Sequence, residues 1–137
     1  LSNNDDNKTP ADKDDITGFA ESYAQLFGSL PAMPAARFKL LGDLDPESLL
    51  DGERLRAKAF YSDVFDVKTT QLVLFGMLLI EGHPAAAHHA LAARRAGASW
   101  EELLKIVELA CVTGYLRPAN QGAALIQAIR DKDEKGE

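Results

Sequence analysis

The sequence predicts an all-α domain of about six helices, and three observations carry that expectation. Apolar residues recur at spacings of three and four along most of the 137 residues, helix-start signals stand where those patterns begin, and no stretch alternates as a strand would. A chain of this length builds one core. Residues 16–130 are therefore expected to form a single helical domain, between an acidic head over residues 1–15 and a charged tail over residues 131–137.

Ile16, Phe19, Ala20, Tyr23, Leu26 and Phe27 share one stripe that Gly28 ends, which predicts the first helix. A linker with Pro31 and Pro34 leads into a brief apolar turn through Phe38 and Leu41. In "DLDPESLL", Asp45 is a suitable N-cap and Pro46 takes the first helical position, where its missing N–H costs nothing; this helix should reach about Tyr61. "FDVKTTQLVLFGMLLIEG" is the most apolar segment, and Leu72, Phe75, Leu79 and Ile80 in register predict a buried central helix. After Gly82, Pro84 starts an alanine-rich helix that Gly97 closes at a position favouring a left-handed residue. Ser99 with Glu102 forms a capping box for a helix carrying Leu103, Ile106, Val107 and Ala110 on one face. That helix is expected to fade at Gly114, and "LRPANQGAALIQAIR" to restart at Pro118 and run to about Arg130.

The formal net charge of −6 divides unevenly. Residues 1–15 carry five Asp against Lys8 and Lys13, and residues 131–137 carry four acids against two lysines, which leaves about −1 for residues 16–130. The domain thus has no basic stripe to neutralise phosphates, and nucleic acid is not an expected partner. Both ends lack the apolar residues that would offset the entropy of ordering them. No apolar run reaches the length of a membrane span and no signal peptide is visible, so the expectation is a cytoplasmic protein without a membrane partner. The single cysteine, Cys111, permits neither an internal disulfide nor a CxxC pair, and its setting predicts a small buried hydrophobe.

All three histidines fall in "EGHPAAAHHALAARRAGAS", residues 81–99. Neighbouring helix positions are about 100° apart, so His88 and His89 point different ways. Leu91 is the one large aliphatic of this helix; His88, three residues earlier on nearly the same face, reads as half-buried packing, while His89 shares a side with Ala85 and Ala93. The alanines allow close approach on every side, including by a second subunit. Glu81, His83 and either His88 or His89 can be drawn as metal ligands, but the spacing from His83 to His88 does not place two imidazoles on one helical face, so no metal is expected.

The span from "LDPESLL" through "FDVKTTQLVLFGMLLIEGHPAAAHHALAARRAGASWEELLKIVELACVTGYLRPANQGAAL" resembles the carboxymuconolactone decarboxylase family, whose superfamily includes the alkylhydroperoxidase D proteins. The resemblance covers roughly residues 45–126. It rests on the helix start at Lys68 to Leu72, a Pro five residues before His89, Gly97 eight residues after it, "GASWEEL" and "RPAN". In the peroxidase branch a CxxC pair precedes the histidine. Aligning His89 with that histidine puts Gly82, or His83, and Ala85 where the thiols should stand; without a thiolate nucleophile, peroxide reduction is excluded. Where many such proteins carry a Glu, this chain has Gln71.

The resemblance implies an alkylhydroperoxidase D-like helical fold, a homo-oligomer that is a trimer or hexamer, an interface-lined pocket, and a cofactor-independent decarboxylase acting on a small carboxylated lactone or related ring acid, as in aromatic catabolism. Such an enzyme must orient a carboxylate, stabilise the enolate left when CO2 departs, and protonate carbon. The candidate proton donors are His89, His88 and His83, since an imidazole near its ordinary pKa of about 6.5 exists in both forms at neutral pH. Arg94, Arg95 and Arg117 are candidate clamps, because a guanidinium fork matches a carboxylate. Tyr115 is a candidate oxyanion donor and Glu81 a further polar contact. An isomerase or hydrolase on the same pocket, and a catalytically silent oligomeric binding protein, are the alternatives.

Overall fold

The computed structural model describes residues 15–136, which form α1 (Ile16–Phe27), α2 (Ala32–Leu44), α3 (Pro46–Phe60), α4 (Val67–Glu81), α5 (Ala86–Arg95) and α6 (Trp100–Lys135), with no strand among them. The acidic head lies outside the described residues except for Asp15, whose carboxylate accepts the Gly18 N–H at 2.5 Å and caps α1. Asp45 caps α3 through Ser48 N (3.1 Å) with Pro46 behind it, and Asp66 caps α4 through Thr69 N (2.7 Å). Ser99 and Glu102 form the full reciprocal capping box that opens α6. Each of these contacts satisfies an N–H that the first helical turn would otherwise leave unpaired. Gly97 takes φ 97°, the left-handed conformation that turns the chain between α5 and α6.

Two small apolar centres meet across α5. On one side Tyr23, Leu26, Phe27, Phe38 and Leu49 pack with Ala92; on the other Ala93, Ala98 and Leu103 pack with Leu72, Phe75 and Ala90. Ala92 and Ala93 are neighbours that face opposite centres, so α5 is thin enough to be shared by α1 and α4. A β-carbon built on Gly76 of α4 would lie 3.0 Å from Ile106 Cγ2, which shows how closely α4 and α6 approach. No helix among the described residues is long and apolar enough to cross a membrane.

Five expectations are corrected here. The segment through Phe38 and Leu41 is a full helix, α2, rather than a brief turn, because its apolar side chains pack on α1 and α3. The expected break between Gly114 and Pro118 is absent: α6 is one helix of 36 residues, about 54 Å long at 1.5 Å per residue. Pro118 removes the hydrogen bond to the Gly114 carbonyl, but on an exposed helix water can take that carbonyl, and the glycine leaves the crowded position without a side chain. Residues 131–135 continue the helix, all exposed. Finally, α4 is not buried: Gln71 is its one buried residue, and Val73, Met77 and Ile80 are about half exposed. Cys111 is likewise exposed, since α6 beyond residue 107 has little packed against it.

The continuity of α6 has a direct check. Replacing Pro118→Ala should strengthen the helix around residue 118 by up to about 3 kcal/mol, read as slower amide exchange on both sides of the substitution. A helix that restarted at Pro118 would gain almost nothing from the change.

Candidate functional site

Three polar side chains are buried among the described residues: Glu53, Gln71 and His89. All three belong to one region, where α1, α3, α4 and the start of α5 converge. His89 is turned inward because the packed face of α5 is the one bearing Ala86, Ala92 and Ala93. Leu91 points outward and is about half exposed. The expectation that Leu91 and His88 mark the packed face is therefore corrected: close approach of the helices selects the alanines, and His88 lies on the exposed side.

The His89 ring is held on three sides. Phe27 of α1 and Phe60 of α3 meet it edge-on, with centroids 5.3 and 5.7 Å away, and Gln71 Oε1 of α4 lies 2.7 Å from Nδ1. With the amide oxygen toward the ring, Nδ1–H donates to Gln71 and Nε2 is the nitrogen left with a lone pair. Burial pushes His89 from its ordinary 6.5 down to about 4, and the charges of His88, Arg56 and His83 push the same way. At neutral pH this imidazole is neutral. The expectation of a histidine poised between its two forms therefore does not hold.

His89, His88 and His83 share the wall of a cavity of about 420 Å³. Its remaining wall is largely apolar, from Tyr23 and Phe27 of α1, Met33 and Pro34 of α2, and Phe60 of α3, and it includes Arg56. A mostly apolar concavity of this size with a few convergent polar groups is what a small organic ligand requires. His83 also has a local duty: its Nδ1 accepts the Ala85 N–H at 3.0 Å, standing in for the side-chain cap that α5 lacks. Two other concavities, one bounded by Gln25, Leu26 and Arg95 and one by Phe60, Tyr61 and Asp66, contain none of the histidines.

The structure does not bring Arg94, Arg95, Arg117, Tyr115 or Glu81 to this cavity. Arg94 donates to the Ala98 carbonyl and stacks on Trp100, 4.1 Å from the ring centre; Arg95 reaches the Gln25 carbonyl at 3.3 Å. Tyr115 and Arg117 are exposed on α6, and Glu81 is exposed at the end of α4. Both arginines of α5 serve chain connections near the helix end, where the dipole favours them in any case. The arginine that does line the cavity is Arg56, carried by α3. Its signal is visible in retrospect: Leu49, Glu53, Arg56 and Phe60 fall on one stripe of α3, so two charged residues stand on the face that must be buried.

The state of His89 has measurable consequences. Because its folded pKa lies below the unfolded value, the unfolded chain binds the extra proton first, and stability falls as pH drops from about 6.5 to about 4. Over that window the protein should lose on the order of 2 kcal/mol more than a His89→Gln variant does. Gln71→Glu should raise the His89 pKa above its present value, because an opposite charge beside the ring favours the imidazolium. Denaturant unfolding as a function of pH measures the first, and histidine NMR titration the second.

No curated protein and no solved structure matches the chain. The family model of the carboxymuconolactone decarboxylase family matches residues 46–128, more than half of the 137 residues and the whole run from α3 through α5 into α6. Two elements of the cavity wall, α1 and α2, lie before that match; the three histidines and Arg56 lie within it, and the chain belongs to the carboxymuconolactone decarboxylase family.

Proposed function

We propose that this protein is a cofactor-independent carbon–carbon lyase that removes CO2 from a small carboxylated lactone or related ring acid, with His89 as the group that moves the proton. The observation that supports this reading best is a buried imidazole in the wall of a mostly apolar cavity of about 420 Å³. In the step proposed, the bond between the ring carbon and the carboxyl carbon breaks and CO2 leaves. The electron pair stays on the carbon skeleton as an enolate, and imidazolium His89 delivers its proton to carbon. A proton taken from water restores the imidazolium for the next turnover.

His89 is neutral at neutral pH, so the proton must be acquired together with the substrate. An anion entering the cavity favours the imidazolium and opposes the effect of burial. On this reading kcat/KM falls as pH rises above about 4, because the free enzyme must be charged, while kcat follows the higher pKa of the complex. A second reading is favoured by the neutral ring itself: as a general base, His89 would remove a proton next to a carboxyl group and return it elsewhere, as an isomerase does. Then kcat/KM rises to a plateau above about pH 4. Neither reading uses a thiol, and Cys111 stands alone on α6.

The same reading takes the protein as a homo-oligomer, a trimer or hexamer. It is supported by Leu109, Val112, Leu116, Ile126 and Ile129, all about half exposed or more along α6, and by Val73, Met77 and Ile80, about half exposed on α4. Exposed apolar residues of this kind are what a subunit interface covers.

Turnover by absorbance and CO2 release on carboxymuconolactone and related lactone and β-keto acids tests the chemistry. The expected result is CO2 release that drops by about 10²- to 10⁴-fold in His89→Asn. Carbon-bound deuterium gained from D2O without CO2 release would select the isomerase reading. Neither outcome, from folded protein, would overturn both. Sedimentation should give a trimer or hexamer that Leu116→Glu dissociates; a wild-type monomer would contradict the assembly.

A further inference from the structure

We propose that Arg56 is the carboxylate-recognising residue of the cavity and that it selects carboxylic acids with apolar bodies over their uncharged counterparts. The inference rests on reading this cavity as the ligand site, and not on which bond is broken there.

Arg56 is held rigidly and left incomplete. Its Nε donates to Glu53 Oε2 at 2.8 Å, its Nη2 donates to Ser22 Oγ at 2.5 Å, and its guanidinium lies over the Tyr23 ring, 3.8 Å from the centroid. The side chain is 12% exposed. Nη1 is buried and has no hydrogen-bond partner. A buried donor left unpaired costs about 1–3 kcal/mol, more when it is charged, so native structures rarely keep one without a reason. The only other such side-chain atom among the described residues is Gln71 Nε2, on the residue that holds His89. Both orphaned donors thus belong to residues that build one site.

Charge points the same way. Glu53 is fully buried and is bonded by Arg56, by Arg37 and by the Tyr23 hydroxyl, which donates to Oε1 at 3.1 Å. Two guanidiniums against one carboxylate leave one excess positive charge on this cluster, next to a neutral His89 and an aromatic wall. A single carboxylate on Nη1 neutralises that charge and takes up the free donor, and a guanidinium suits the geometry of such a group. An uncharged amide would leave the guanidinium uncompensated.

The test is binding rather than turnover, with benzoate and benzamide as probes, by calorimetry on the whole chain. The expected result is that benzoate binds at least about tenfold more tightly than benzamide. Arg56→Lys keeps a charge for Glu53 but loses the fork, and should bring the benzoate-to-benzamide ratio to within about threefold of one. Should that variant fail to fold, the Arg56 guanidinium NMR signals of the unaltered protein decide, since benzoate must shift them and benzamide must not. Equal binding of benzoate and benzamide, no saturable benzoate binding, or a ratio unchanged in Arg56→Lys would overturn the proposal. Benzoate selectivity through Arg56 without any turnover would leave this inference standing and remove the lyase reading; turnover with an unchanged KM in Arg56→Lys would do the reverse.

Discussion

A carboxylate with no exposure to water must be paired, and the pairing of Glu53 organises the first half of the chain. Its partners come from three helices: Tyr23 from α1, Arg37 from α2 and Arg56 from its own α3. Removing one member of such a cluster strands a buried charge at a cost of about 3–5 kcal/mol, so these helices are fixed relative to one another by electrostatics as much as by the apolar contacts around them. The stacking of Arg56 on Tyr23 then sets the cavity wall, with Phe27 one turn further along α1 and Phe60 one turn further along α3. Those two aromatic rings are the ones that hold His89.

Small side chains complete the arrangement from the other side. Ala92 and Ala93 let α5 pass between the two apolar centres, and that closeness presses His89 against Gln71 and out of water. Burial is the largest influence on the imidazole, and the neutral amide of Gln71 orients the ring without supplying the negative charge that a carboxylate would bring. A larger residue on this face of α5 would move the helix outward and rehydrate the ring. The packing of the alanine helix and the protonation state of the histidine are one constraint seen at two scales.

Much of the fold was legible because local chemistry writes it: the caps at Asp45 and Ser99 and the left-handed Gly97 each mark a boundary through one or two side chains. The family was legible for a similar reason, since its motifs are linear. Where tertiary context decides, reading the chain alone fell short. Gly114 and Pro118 look like a break but stand in a continuous exposed helix, and the apolar run of α4 reads as buried although one chain covers only part of it. Of the candidate site, the three histidines come together because a single short segment carries them. Arg56 and Glu53 were missed because charged residues are ordinarily assigned to the solvated face, and only the contacts among α1, α2 and α3 show that this stripe turns inward. Leu91 misled for the converse reason, being apolar and exposed.

The central claim is that the cavity presents a neutral imidazole with a free Nε2, fixed by a hydrogen bond from Nδ1 to Gln71. Nitrogen-15 NMR of the histidine rings at neutral pH tests it most directly, because the protonated and lone-pair nitrogens of imidazole resonate far apart. The expected result for His89 is a protonated Nδ1 bonded to Gln71 and an unprotonated Nε2. An imidazolium, or the opposite tautomer with the proton on Nε2, would contradict it.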